Sequence, residues 1–154
     1  MNATTEPYLE IFDGRDLVRL VPIPAFDDSS HLDWDRNWVR TKVTVKSGAF
    51  SGNFTADFMT TDFELFKRDL KTLDKDFKGN ARLEPLEGHL VVNIAGDGLG
   101  HFEVECKAAD YPGFGATLSF VLSFDQTELS RLIHELDTIT KAFPIRGDCN
   151  IRNE

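Results

Sequence analysis

Residues 38–77, WVRTKVTVKSGAFSGNFTADFMTTDFELFKRDLKTLDKDF, decide the fold, because the spacing of their apolar side chains changes partway along the segment. Over residues 38–58 apolar and polar side chains alternate, which predicts two antiparallel strands with one buried and one solvated face. From Phe63 onward the apolar side chains recur at every third or fourth position, which predicts an amphipathic helix over residues 62–78. A sheet followed by a helix of this kind is typical of an α+β domain.

Local signals mark both ends of this helix. Thr61 and Glu64 have the form of a capping box, in which the hydroxyl accepts a backbone N–H and the carboxylate reaches back. Gly79 is predicted to supply the left-handed residue that ends the helix. A second pair of the same form, Asp125 and Glu128, predicts the start of another helix.

The second half of the chain repeats the plan of the first half. Four further strands are predicted between residues 81 and 124, and the last of them begins at Phe114 with that side chain pointing inward. A helix over residues 126–142 follows. Its apolar stripe corresponds to that of the first helix at a fixed offset of 66 residues, which indicates two ββββα units. The alternative is a chance similarity between two ordinary strand-then-helix segments.

These patterns predict one α+β domain over residues 1–145. In it, a continuous antiparallel sheet of about eight strands carries two helices on one face. The 154 residues of the chain fit one domain with a single core. Residues 146–154 are predicted to form a flexible C-terminal tail.

The net charge of −9 is unevenly distributed along the chain. Residues 1–35 carry −6, residues 36–80 carry +3 and residues 81–154 carry −6. Nucleic acids and anionic membranes are recognised through clustered Lys and Arg side chains, so this balance argues against both as partners. It fits a basic protein partner, although an acidic surface also keeps a cytoplasmic protein soluble.

The sequence also indicates a cellular compartment. Its first residues, MNATTEPYLE, lack the basic and apolar regions of a signal peptide, and no apolar run approaches the roughly 20 residues that span a bilayer. Cys106 and Cys149 are too few for a disulfide framework, and Cys106 alternates with Val104 as a small buried hydrophobe would. We expect a soluble cytoplasmic protein with reduced cysteines.

The candidates for catalytic, cofactor or metal chemistry are weak. The glycine-rich residues 96–100 lack the Lys-Ser/Thr of a phosphate-binding loop and precede a strand, which predicts a hairpin turn. His89 and His101 flank this hairpin without a third ligand at a metal-binding interval. We therefore predict a non-enzymatic binding protein with no catalytic, cofactor or metal residues.

One stretch carries a family resemblance. The order Asp33-x-Asp35-x-Asn37-Trp38, an alternating strand, SGAFSGNF and then FMTTDFELFKRDLKTL resembles the WapI-like bacterial immunity proteins associated with wall-associated toxins. The resemblance covers about residues 8–80 well, and the second half mainly through its rhythm of strands and helix. It implies a cytoplasmic protein that binds a cognate toxin domain and neutralises it without chemistry of its own.

The segment DDSSHLDWD, residues 27–35, is the predicted partner-binding loop, because it holds four acids and a tryptophan and no basic residue. Its predicted contact residues are Asp27, Asp28, Asp33, Trp34 and Asp35. Trp38, which opens the next strand, is assigned a structural role.

Two other functions remain open at this point. A small-ligand-binding module would need a cavity of several hundred Å3 enclosed by the phenylalanine-lined face, as is typical of ligand pockets. A hydrolase would need His89, His101 and Asp97 to converge on one point.

Overall fold

Residues 6–24 and 37–147 of the computed structural model are described, and they form two antiparallel four-stranded sheets and two long helices. The first unit contains β1 (Leu9–Phe12), β2 (Leu17–Ile23), β3 (Trp38–Ser47), β4 (Phe50–Met59) and α1 (Thr60–Asp76). The second unit contains β5 (Lys78–Leu83), β6 (Leu90–Asp97), β7 (His101–Ala109), β8 (Thr117–Asp125), a 3-10 turn (Gln126–Glu128) and α2 (Leu129–Ala142).

The predicted α+β class, the eight antiparallel strands and the repeated ββββα pattern are confirmed. The arrangement of the strands differs from the prediction in one respect, because they form two sheets instead of one continuous sheet. Each sheet is a meander in which consecutive strands pair, in the orders β1-β2-β3-β4 and β5-β6-β7-β8. Helix α1 separates β4 from β5 along the chain, so β5 begins a new ladder with β6.

One hydrophobic core contains residues from both sheets and both helices. Its largest side chains include Phe58, Phe63, Phe66 and Phe102, all fully buried. The rings of Phe58 and Phe63 stack with their centroids 5.5 Å apart, which joins β4 to α1. The alternation in the strands and the stripes on the helices therefore serve a single core.

Helix α1 begins differently from the prediction. It starts at Thr60, and the Asp62 carboxylate accepts a hydrogen bond of 2.7 Å from the Met59 backbone N–H. The predicted capping box of Thr61 and Glu64 was therefore wrong: the cap position is Met59 and the carboxylate is that of Asp62, each two residues earlier.

Before α2, the Asp125 carboxylate accepts the Thr127 backbone N–H at 3.0 Å and caps the 3-10 turn, as predicted for Asp125. The Glu128 half of the predicted box was wrong, because its carboxylate accepts from the Arg131 guanidinium at 2.8 Å and α2 begins only at Leu129.

The end of α1 also differs from the prediction. The left-handed residue is Phe77, with φ of 62°, and Gly79 lies within β5. The Phe77 N–H donates to the Leu73 carbonyl at 2.9 Å, and the Phe77 carbonyl accepts the Gly98 N–H at 2.7 Å. Contacts from the β6–β7 turn thus hold a non-glycine residue in a conformation that costs about 1 kcal/mol or more.

The predicted hairpin turn between β6 and β7 is present: residues 98–100 form the turn, and Gly96 and Asp97 end β6. Gly96 has a specific role there, because a Cβ at this position would collide with the carbonyl oxygen of Phe77 and the ring of Phe102. The glycine therefore permits the close approach of the end of α1 to the second sheet.

Asn37, from the motif that precedes β3, is fully buried. Its backbone carbonyl accepts the Thr60 N–H at 2.8 Å, at the start of α1. Its carboxamide donates to the Arg146 carbonyl at 3.0 Å and accepts the Arg146 N–H at 2.9 Å. This part of the motif is structural, and residue 146, the first of the predicted tail, is tied to the domain.

Across residues 6–24 and 37–147, neither helix has the length and apolar character that a transmembrane segment requires.

Candidate partner-binding surface

The loop predicted to bind a partner lies outside the described residues. This applies to Asp27, Asp28, Asp33, Trp34 and Asp35, so the assignment stays a prediction. Trp38 is described, and it opens β3 opposite Met59, as its structural assignment requires.

The two central histidines do not converge. The Nδ1 atom of His89 lies 2.9 Å from the Ala109 carbonyl oxygen, at one end of the β6–β7 pair. His101 begins β7 at the other end, where its backbone N–H donates to the Asp97 carboxylate at 3.2 Å. Eight residues of paired strand separate the two ends, which corresponds to about 25 Å. The geometry that a hydrolase in this region would need is not met.

Cys106 is buried on β7, as its alternation with Val104 predicts. Burial raises the pKa of its thiol to about 12, so the thiol is protonated at neutral pH and is a poor nucleophile. Within residues 6–24 and 37–147, no group of three or more His, Cys, Asp or Glu side chains is placed to hold a metal ion.

The two sheets carry opposite charges on their outer faces. Residues 78–130, which contain the whole second sheet, hold eight acidic residues and three basic residues (Lys78, Arg82 and Lys107), a net charge of −5. Glu103 and Glu105 are exposed on β7. On the outer face of the first sheet, Lys42 and Lys46 are exposed on β3. A basic partner would therefore be attracted to the second sheet and its loops.

The outer face of the second sheet is open and contains a shallow depression of about 570 Å3. Its wall includes an ion pair between Arg82 and Glu84, whose charged atoms are 2.8 Å apart. Phenylalanines of the sheet and helix, such as Phe58 and Phe63, are packed in the core. The depression is a surface feature, and it differs from the enclosed cavity that the small-ligand alternative needs.

Tyr111 and Phe114, on the β7–β8 loop, are the most conspicuous exposed aromatic pair in the described part of the chain. Their side chains are 63% and 84% exposed, and their ring centroids are 5.4 Å apart. The prediction that Phe114 points inward from a strand was wrong, because β8 begins only at Thr117. The alternation of Leu118, Phe120, Leu122 and Phe124 extends backward to Phe114, but the intervening residues form a turn.

Hydrogen bonds fix the conformation of this loop. The Asp110 carboxylate accepts the backbone N–H of Tyr111 at 2.7 Å and that of Ala116 at 2.8 Å. The Tyr111 carbonyl accepts the Gly115 N–H at 2.8 Å. A Cβ at Gly115 would collide with Asp110 and Tyr111, so glycine is needed for so tight a turn. The loop therefore presents its two aromatic rings in a defined geometry.

A groove of about 290 Å3 lies beside this loop, between the edge strands β4 and β8. Phe50, 70% exposed, stands on the β4 side, and Asp110 and Ala116 stand on the loop side. Phe54 contributes to the groove and contacts the ring of His89 with a centroid distance of 5.8 Å. We name Phe50, Tyr111 and Phe114 together the aromatic rim.

The sequence contained a signal for part of the aromatic rim. Tyr111-Pro-Gly-Phe114-Gly is a turn sequence with two aromatic residues, and aromatic side chains in a turn have no strand face to bury them. Nothing in the sequence indicated that Phe50, which lies in a different sheet, would border the same groove.

Comparisons with known proteins give one family and several structures. The family model described as "Immunity protein WapI-like family" matches residues 4–144. No curated protein sequence matches the chain.

Among solved structures, the plant transcriptional regulator PBF-2 is similar, with 12% identity, 95% of this chain and 92% of that chain covered, and a TM-score of 0.49. MRP1/MRP2 of Trypanosoma bruciei has 11% identity, coverage of 92% and 88%, and a TM-score of 0.49. WHY1 from Arabidopsis thaliana has 13% identity, coverage of 94% and 88%, and a TM-score of 0.47. Similarities at this level carry no argument about function.

Proposed function

Because the chain belongs to the WapI-like immunity protein family, we propose that it is a non-enzymatic immunity protein that binds a cognate toxin domain and neutralises it in the cytoplasm of the producing cell. The observation that carries this proposal is the extent of the family match. Residues 4–144 include all eight strands and both helices, so the family relationship concerns the whole fold.

The charge of the molecule supports a basic toxin as the partner. The chain carries a net charge of −9, and residues 78–130, which contain the second sheet, carry −5. Complementary fields of this kind accelerate association and exclude partners of like charge. The partner is therefore proposed to present Lys and Arg side chains to the outer face of the second sheet and to its β5–β6 and β7–β8 loops.

Inhibition by binding alone is consistent with the chemistry of the described residues. The Cys106 thiol is buried with its pKa raised, and His89 and His101 lie at opposite ends of their hairpin. Such a protein would act by covering the toxin surface, and its stoichiometry would be that of a complex and not that of a catalyst.

The test begins with the genes beside this one: a toxin domain encoded there is co-expressed with the protein, and the absence of any such gene counts against the proposal. Cells that make the toxin domain alone should stop growing, and cells that also make this protein should grow at the rate of the empty control. Purified protein and toxin domain should then form a complex of fixed stoichiometry by isothermal titration calorimetry. Absence of protection together with absence of a complex would refute the proposal.

Substoichiometric protection would also contradict it. If one molecule of the protein inactivates many molecules of toxin, the mechanism is enzymatic. Titration of toxin activity against protein concentration distinguishes the two cases. If the protein inhibits by binding, toxin activity falls linearly and reaches its minimum at the molar ratio of the complex.

A further inference from the structure

We infer that the aromatic rim is the anchor of the toxin interface, and that it enters an apolar pocket surrounded by Lys and Arg side chains on the toxin. This inference rests on the proposed function and specifies where the toxin binds. Phe50, Tyr111 and Phe114 are 70%, 63% and 84% exposed, which is unusual for aromatic rings in one region of a soluble domain. Large aromatic side chains dominate the energetics of protein interfaces.

Bonds within the chain fix the conformation of the β7–β8 part of the rim. Asp110 accepts two backbone N–H groups, from Tyr111 and Ala116, and the ring of Tyr111 packs against that of Phe114. A partner therefore does not have to immobilise a flexible loop, and less conformational entropy is lost on binding.

The surroundings of the rim differ on its two sides: the guanidinium of Arg15 lies against the β3–β4 turn near Phe50, and the side of Tyr111 and Phe114 is apolar and acidic. The neighbouring β5–β6 loop contributes Leu86, 74% exposed, and the acidic Glu87. This loop lies beside the β7–β8 loop, since a Cβ at Gly88 would be 3.8 Å from the Pro112 ring. An apolar centre with an acidic margin complements an apolar pocket with a basic margin.

The groove between β4 and β8 gives the partner a place for one of its own side chains. Its volume of about 290 Å3 and its lining by Phe50, Phe54 and Leu118 suit an apolar side chain from the toxin. Reciprocal insertion of this kind, with anchors from each side, is common where hot spots of two partners pair.

A second copy of this chain is a poorer occupant of the rim. Residues 78–130 carry −5, so two copies that met through this region would bring like charges together. A basic toxin domain meets no such repulsion.

The experiment measures the affinity of the purified toxin domain that the co-expression test identifies for the full chain and three variants. The double substitution Tyr111→Ala with Phe114→Ala should weaken binding by about 30-fold or more, as removal of interfacial aromatic anchors does. Leu99→Ala is the matched control, because Leu99 is 81% exposed on the β6–β7 turn, at the other end of the second sheet. It should leave the affinity unchanged within about twofold. Thermal melts should show that all variants are folded.

The remaining outcomes separate the two proposals. If the wild-type chain does not bind the toxin domain, the proposed function fails and this inference fails with it. If the wild type and the double variant bind equally well while Trp34→Ala weakens binding, the function stands and the interface is the 27–35 loop. If sedimentation shows a dimer that the double variant dissociates without a change in toxin affinity, the rim is a self-contact and the inference is overturned.

Discussion

The carboxamide of Asn37 and the backbone of Arg146 exchange two hydrogen bonds across 109 residues of chain, at 3.0 and 2.9 Å. The carboxamide thus makes the same pair of reciprocal hydrogen bonds that a residue on a neighbouring strand would make, although neither residue is part of a strand. The backbone carbonyl of Asn37 also accepts the Thr60 N–H. One buried residue therefore connects the start of β3, the start of α1 and the segment after α2.

Removal of this connection should destabilise the whole domain. Asn37→Ala leaves a cavity and removes two hydrogen bonds from the backbone of Arg146, which we expect to lower the free energy of unfolding by about 2 kcal/mol. Urea denaturation followed by circular dichroism measures the change. Asn53→Ala is the control, since the exposed Asn53 side chain bonds only to Thr44 at 2.8 Å. Equal losses for the two variants would show that the Asn37 connection adds nothing.

Gly96→Ala should be strongly destabilising. Its Cβ would collide with the Phe77 carbonyl and the Phe102 ring, both of which are held in place, so we expect a loss of about 3 kcal/mol. Gly52→Ala serves as the control, because its Cβ would meet only Val45 at an ordinary 3.4 Å. Thermal unfolding measures both variants. A melting temperature for Gly96→Ala equal to that of Gly52→Ala would contradict the close approach of α1 to the β6–β7 turn.

Asp62 should make stability depend on pH with an unusual sign. Burial raises the pKa of its carboxyl group above the ordinary value, and the hydrogen bond from Met59 lowers it only partly. Because the folded pKa exceeds the unfolded pKa, the stabilising contribution is complete below the unfolded pKa and is lost as pH rises through the folded pKa. Asp62→Asn keeps an acceptor for the Met59 N–H and carries no charge. Its stability relative to wild type should therefore increase as pH is raised from about 3 to about 6.

Asp125 provides the opposite case in the same experiment. Hydrogen bonds from the hydroxyl and backbone N–H of Thr127 lower the pKa of its carboxyl group. The stabilisation that the ionised Asp125 gives the folded state is therefore present above the unfolded pKa and is lost as pH falls through the folded pKa. Asp125→Asn should lose stability relative to wild type as pH rises over the range in which Asp62→Asn gains it. Urea denaturation at a series of pH values gives both curves, and parallel curves would contradict the opposite signs.

Glu135 and Arg131 protect the edge of the first sheet. The Glu10 N–H donates to the Glu135 carboxylate at 2.9 Å, and the Arg131 guanidinium donates to the Glu10 carbonyl at 2.9 Å. Glu135→Ala should cost about 1–2 kcal/mol, because it leaves a backbone donor of an edge strand unsatisfied. Glu135→Gln keeps the acceptor and should cost less than half as much. Chemical denaturation of both variants is the measurement, and equal losses would point to the charge and not the hydrogen bond.

The acidic outer face of the second sheet should control the rate of toxin association. Glu103→Gln with Glu105→Gln should slow association roughly twofold to fivefold at low salt and leave dissociation nearly unchanged. Lys42→Gln, on the basic face of the first sheet, is the control and should not slow association. Stopped-flow or surface plasmon resonance measurements at several salt concentrations test this. An effect confined to dissociation would place these glutamates within the buried contact.

Much of the fold could be predicted from the sequence because periodicity is a local property. Each apolar pattern lies within a single element: Val39, Val43 and Val45 alternate in β3, and Phe63, Phe66 and Leu70 form the stripe of α1. Each predicts which side of its own element is buried, and all six residues are in the core. The family resemblance was available from the sequence for the same reason.

Other features depend on groups that are distant along the chain. Phe77 has a left-handed backbone because its carbonyl accepts the Gly98 N–H and lies where Gly96 has no side chain. The residues next to Phe77 in the sequence give no indication of that contact. Phe114 leaves the strand pattern because Asp110 closes the loop onto Ala116 before β8 begins.

The sequence by itself determined eight alternating strands, two amphipathic helices and the side of each that is buried, since these follow from the spacing of apolar side chains over a few residues. Only the tertiary structure decided that the strands divide between two sheets, that Asn37 joins Arg146, and that Phe50 of one sheet borders the same groove as the Tyr111 loop of the other. The physical reason is that periodicity specifies that a face is buried but not what it packs against. Which element packs against a given face depends on the packing of the whole chain. The same packing determines which surface remains exposed.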